Sequence, residues 1–358
     1  MSDWAELRQR IDAWVEVGDE DRLQLVDLFY ESHDHRETNP EYQLKLLTIG
    51  RNEARRLKEP WWVLFFESWR LTVMTSDLHD FASARPLVWE LLAQLNSREW
   101  QDHSEAHSIR TNGLYTYLQV DPLGYRDELD QGFAALDGQI TKEPVSERFV
   151  LSYRWTEYLV ETQSWEAALE SALRFRSLVQ QGESSDWWNC WSLFLLCGTC
   201  HSLGRIDELA TYAEEMTARS EDAHQLLRAH ATGLVWSAVA HRIRGDEDSA
   251  ARSFDRGTYF LEDLSSEHEI CADALAAYHE LKGDWNAVLG VHERELNAIS
   301  GKGRLHRECI IHMERCRLLS RLGNLTEQDL AVTRESISRM LKPEWYLEKL
   351  KDLNRNSC

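Results

Sequence analysis

Proline is scarce in this chain of 358 residues, at 6, and glycine is modest at 17. Both residues interrupt helices, so their scarcity leaves long stretches free to coil, and Leu, Ala, Glu and Arg recur throughout. No alternating stretch is long enough to read as a strand. Long apolar runs are missing as well: the longest obvious one, Trp61 to Phe66, is far too short to cross a bilayer. The amino terminus, Met1-Ser2-Asp3-Trp4, lacks the basic region and apolar core of a signal peptide. These absences predict a cytoplasmic, all-α protein with no membrane partner.

Positive charge is in short supply too. Lys and Arg total 40 against 61 Asp and Glu, a formal charge of -21. That sign is wrong for tracking a phosphate backbone and argues against nucleic acid as a partner. An acidic surface keeps an elongated protein soluble, and its field also suits a basic partner. Seven cysteines, an odd number, are spread over the chain, several on apolar helix faces, which fits reduced thiols better than a disulfide framework. Phosphate-cradling glycine loops, nucleophile elbows and metalloprotease signatures are all missing, so no cofactor and no catalytic residue is expected.

What is present is a period. From Leu234 to Gly257 the sequence reads as one helical hairpin: Gly245 ends an apolar-periodic segment, Asp246 offers an N-cap, and Ala238, Ala250 and Phe254 fill the helix contacts. Turn-like positions recur at His79, Gly124, Gln163, Gly204, Gly245, Gly283 and Gly323, spaced by 45, 39, 41, 41, 38 and 40 residues. Small residues stand seven places before four of these turns, at Cys197, Ala238, Ala276 and Cys316. Upstream, residues 1–58 read as three helices that cap the array, with Gly18 ending the first and Asn39-Pro40 opening the third. From Pro60 a helix apolar nearly all round begins, and Pro86 predicts a late start or a kink in its partner. The repeats fill 60–341, and 342–358 form a final helix and tail.

These hairpins resemble tetratricopeptide repeats, in which a helix pair closes on a glycine turn with small residues at the contacts. The period exceeds the usual ~34 residues and is similar to the extended forms of kinesin light chains and bacterial peptide-sensing regulators. Departures are Gln163 and His79 in place of the turn glycine, Glu247 at an apolar position, and a small insertion after Gly323. The resemblance implies a right-handed superhelical solenoid of antiparallel helix pairs. It also implies a concave groove lined by the first helix of each pair. Positions that face such a groove in that family nominate Trp69, Arg70, Tyr115, Arg154, Glu157, Trp191, Phe194, Gly198, Trp236 and Arg242 as partner-binding residues. The implied function is a non-enzymatic scaffold or adaptor that binds a protein or a peptide. Two alternatives stand beside it: a peptide-sensing regulator, and an α/α-toroid glycosidase, whose 15 tryptophans would suit sugar stacking.

Three clusters carry candidate chemistry. Cys197-Gly198-Thr199-Cys200-His201 matches the pattern of haem attachment and of a redox pair, but it falls on inner-face packing positions. His306, Cys309, His312 and Cys316 share one helix face, and His312 and Cys316 form an i, i+4 pair. One helix cannot wrap all four around one zinc. His33 and His35 lie in a polar segment with Glu31, Asp34 and Glu37. In each cluster packing or solvation is the expected role, and no metal is predicted.

Overall fold

The computed structural model describes residues 2–35, 39–137, 145–182, 185–221, 226–262 and 268–355. Among these residues every regular element is helical, and consecutive helices pack against one another. The chain divides into two compact units, and the boundary falls inside the stretch 60–341.

The first unit holds α1 (Ser2–Val17), α2 (Glu20–Asp34), α3 (Pro40–Arg56), α4 (Pro60–Thr72), α5 (Phe81–Leu95), α6 (Ala106–Val120) and α7 (Arg126–Asp137), together with Gly301–Arg304. The apolar run at Pro60 makes α4 its core: Trp61, Trp62, Leu64, Phe65, Phe66 and Leu71 are all buried. Trp62 stacks on Trp14 of α1, and Trp61 stacks on Phe65. The helix then widens into a π turn over Val73–Asp77 and closes at His79. Pro86 does not delay α5. That helix starts at Phe81, capped by Asp80, and carries the proline in its second turn.

The second unit holds α8 (Val145–Glu161), α9 (Trp165–Gln181), α10 (Asp186–Ser202), α11 (Ile206–Ser220), α12 (Leu227–Ile243), α13 (Glu247–Glu262), α14 (His268–Lys282), α15 (Trp285–Ile299), α16 (Leu305–Arg321), α17 (Glu327–Ser338) and α18 (Glu344–Arg355). Its deepest helix is α12, every residue of which from His230 to Ala240 is buried. Gly233 and Gly257 explain how neighbours come so close: a Cβ on Gly233 would meet Thr217 Oγ1 at 2.5 Å, and one on Gly257 would meet Val235 Cγ2 at 2.9 Å.

The same joint closes hairpin after hairpin. At Gly204 the amide donates to His201 O while the next amide, of Arg205, donates to Cys200 O, the paired bonds of a Schellman cap. Gly18, Lys58, Gln163, Gly245, Gly283 and Gly323 repeat that pair of bonds, each with a positive φ. After three of these joints the next residue is an aspartate that caps the following helix: Asp19 accepts from Arg22 N, Asp246 from Ser249 N and Asp284 from Ala287 N, each at 3.1 Å. Gly124 departs from the series. It is not among the positive-φ residues, and the α6–α7 link is a run of turns in which Tyr125 N donates to Asp121 O.

Side-chain bonds between successive hairpins keep nearly the same period. Ser68 bonds Glu105 and Thr75 bonds Asn112, each 37 residues apart in the first unit. In the second, Arg244 reaches Asp207 and Arg317 reaches Glu280 across 37 residues, and Arg176 reaches Glu215 across 39. No helix among the described residues is long and apolar enough to cross a membrane.

Candidate interaction surface

Helix α10 buries Cys190, Leu193, Leu196, Cys197 and Cys200 along one stripe, and helical spacing sets Trp187, Trp191 and Phe194 beside that stripe. Trp191 meets Trp187 at 5.7 Å and Phe194 at 5.6 Å between ring centroids, both edge to face. Tyr153 of α8 meets Trp191 in the same way at 5.5 Å. Trp187 is 45% exposed, and Trp191 and Phe194 are half-buried. Beside them the Arg154 guanidinium lies 5.1 Å from the Tyr153 ring centroid and donates from Nη1 to Glu157 at 2.8 Å. The ladder thus offers apolar ring surface with a charged pair at its edge, the residue types that anchor interfaces.

Arg154, Glu157, Trp191 and Phe194 are therefore brought together. Tyr153 and Trp187 complete the patch, and the sequence reading passed over both. The signal for Trp187 was available: it lies one helical turn before Trp191. Gly198 shares the helix and has nothing within 4 Å of where a Cβ would sit.

The other nominated residues lie elsewhere. Trp236 is 3% exposed, packed at 5.2 Å from the His201 ring, because neighbours cover every face of α12 at that level. Arg242, at the end of that helix, pairs with Glu247. In the first unit Tyr115 is 4% exposed, edge-on to Phe81 at 5.0 Å. Burial leaves Tyr115 and Trp236 almost no ring surface to offer a partner. Trp69 is half-buried, edge-on to Phe29 at 5.2 Å, and Arg70 is paired with Glu67.

Ion pairs stitch α14, α15 and α16 together. Arg307 donates from Nε to Glu295 at 2.5 Å and from Nη2 to Asp273 at 2.7 Å, and Arg317 joins Glu280 and Glu314. His292 sits among these charges. Burial first, then Arg307 and Arg315, pushes its pKa down to about 4. At the other end of the unit's sequence, Glu161 of α8 lies 3.2 Å from His306 Nε2, whose Nδ1 lies 2.8 Å from the Tyr346 hydroxyl. Lys349 Nζ donates to Gln163 Oε1 at 3.4 Å across 186 residues. Side chains from the unit's first hairpin and its last helices thus meet.

The candidate clusters on α10 and α16 are largely packed into the interior, whereas His33 of the third is exposed. Cys197 and Cys200 are fully buried, and burial raises both thiols, Cys200 to about 11. Cys316 Sγ meets the Thr333 hydroxyl at 3.1 Å while His306 serves Tyr346, so the α16 cluster does not converge. His33 packs edge-on to Trp69 and His35 to Tyr42; Glu37 lies outside the described residues. In the first unit, a cleft of about 340 Å³ is lined in part by Arg10, Trp61, Arg98, Trp100 and His103. The Arg10 guanidinium covers the Trp61 ring there at 4.5 Å.

No family model matches the chain, and no curated protein matches it at a significant level.

Proposed function

We propose that this protein is a non-enzymatic scaffold of tetratricopeptide-like hairpins, wound as a right-handed superhelix, that binds a protein or peptide on the second unit. The observation that carries this reading is the aromatic ladder Tyr153–Trp191–Trp187–Phe194 flanked by Arg154 and Glu157. Trp187 keeps nearly half its surface in water, although burying a tryptophan is strongly favourable. An apolar peptide side chain seated between Trp187 and Trp191 removes that surface from solvent, and the Arg154–Glu157 pair orients the peptide by its polar groups. The acidic surface, at a net charge of -21, favours partners with basic flanks.

The glycosidase alternative needs two carboxyl groups facing one substrate bond. Several carboxylates of α8 and α14 are held in ion pairs with arginines, Glu157 with Arg154, Asp273 with Arg307 and Glu280 with Arg317, while Glu161 lies beside His306. This favours the scaffold reading, and the expected setting is the cytoplasm.

The test is a selection of displayed peptides on the full chain, with counter-selection on the Trp187→Ala/Trp191→Ala double variant. A shared motif that is enriched on the wild type and lost on the variant is expected. A motif retained equally by the folded variant would remove the ladder from the binding site.

A further inference from the structure

In the first unit an arginine cluster, independent of the ladder, surrounds a buried carboxylate. Glu67 is buried in α4, and three arginines converge on it. Arg51 Nη1 reaches its Oε1 at 3.2 Å, Arg55 Nη2 reaches the same oxygen at 3.4 Å, and Arg70 Nη1 bonds Oε2. Helix periodicity builds the group from two adjacent helices: Arg51 and Arg55 are four apart on α3, and Glu67 and Arg70 three apart on α4. One carboxylate neutralises one guanidinium, so the cluster carries two surplus positive charges in a chain whose net charge is -21.

Donors are in surplus as well. Each guanidinium is a planar fork of N–H groups with no acceptor. Glu67 supplies two oxygens, and Asn52 Oδ1 takes Arg51 Nε and Nη2. Among the described residues Arg55 bonds only through Nη2, and Arg70 only through Nη1, with its Nε buried and unbonded. The Arg55 side chain is 51% exposed while those of Arg51 and Arg70 are 18% and 14%, so the group is held from beneath and open at Arg55.

We propose that Arg51, Arg55 and Arg70, positioned by Glu67, form a receptor for a phosphoryl dianion. Two surplus charges match a dianion rather than a monoanion. The tetrahedral oxygens of a phosphate accept from forks arriving on two helices, where a planar carboxylate satisfies one. Glu67 acts as a positioning residue: it holds the three cations together before the ligand arrives.

The experiment is isothermal titration calorimetry of the full chain with inorganic phosphate at fixed ionic strength, with acetate and a phosphoserine peptide as parallel probes. Saturable phosphate binding is expected, weakened roughly tenfold in Arg55→Gln, in keeping with loss of a charge-assisted bond. Arg56→Gln removes an equal charge from the next residue, which is exposed and paired with Glu53, and is expected to change the affinity by less than about twofold. A peptide that binds more tightly than inorganic phosphate, with the same dependence on Arg55, assigns the group to a phosphorylated chain. Equal or weaker peptide binding assigns it to the free ion. No saturable phosphate binding, equal losses in the two variants, or acetate binding as tight as phosphate overturns the proposal.

Discussion

A residue held at positive φ presses its Cβ against the following carbonyl, at about 1–2 kcal/mol, unless it is glycine. Gln163, His79 and Lys58 bear that strain, whereas Gly204, Gly245, Gly283 and Gly323 avoid it. Gly245→Ala is therefore expected to cost about 1–2 kcal/mol in urea unfolding, since nothing lies within 4 Å of the new Cβ and backbone strain acts alone. Gln163→Ala is expected to stay within about 0.5 kcal/mol, because that position is strained already. The cysteines make a second residue-scale prediction. Cys190, Cys197, Cys200, Cys271, Cys309 and Cys316 are buried, and burial pushes Cys190 to about 11 and Cys271 to about 12. Ellman's reagent is expected to reach these six only on unfolding, so fast reaction of Cys197 or Cys200 in the native protein would revive a redox role. Most turn residues were legible in the sequence because a left-handed joint favours glycine and an N-cap favours Asp, whereas the joint at Lys58 carries neither signal. The arginine trio was not legible, because Arg51 and Glu67 meet only when α3 and α4 pack.

At the scale of the helix, two glycines separate an open face from a closed one. Gly198 on α10 has room for a Cβ, so Gly198→Ala is expected to leave stability unchanged or raise it by up to about 1 kcal/mol through helix propensity. Gly233 on α12 has none: a Cβ there meets Thr217 Oγ1 at 2.5 Å and the Thr217 backbone N at 3.0 Å. Gly233→Ala is expected to cost about 1–3 kcal/mol from overpacking, read as the shift in urea midpoint. Both residues look alike in sequence, each a lone glycine in an apolar helix. The difference lies in which neighbour covers the helix, and that also explains Trp236. Counting back from the turn placed Trp236 on a groove, but α12 is covered all round between His230 and Ala240. Trp191, on α10, keeps part of its ring in water because that face of α10 is left open.

For the molecule as a whole, the repeat spacing foretold consecutive helix pairs, and the side-chain bonds at 37 to 39 residues carry the same period. The division into two units was illegible because both use the same joints and the same apolar spacing. Buried histidines make the fold sensitive to acid. The unfolded His292 takes up a proton near its ordinary 6.5, and the folded one only near 4, so the unfolded state binds more protons between those values. The contribution of His292 to stability is fully present above pH 6.5 and is lost as pH drops towards 4, by on the order of 3 kcal/mol. Burial lowers His201, His279 and His312 in the same direction. Urea midpoints from pH 7 to 4.5 are expected to fall steeply in the wild type and less steeply in His292→Gln; parallel slopes would assign the acid response elsewhere.

The α8–α10 ladder is the proposed binding surface of the molecule. Trp187 in the second unit and Trp89 in the first are 45% and 47% exposed, so truncating either removes a similar amount of exposed ring. The measurement is fluorescence anisotropy of a peptide selected on the full chain, titrated with Trp187→Ala and Trp89→Ala. Trp187→Ala is expected to weaken binding by more than about tenfold, the mark of an interface hot spot, and Trp89→Ala to leave it unchanged. Equal affinities for the two variants, or a loss confined to Trp89→Ala, would place the binding surface away from the ladder.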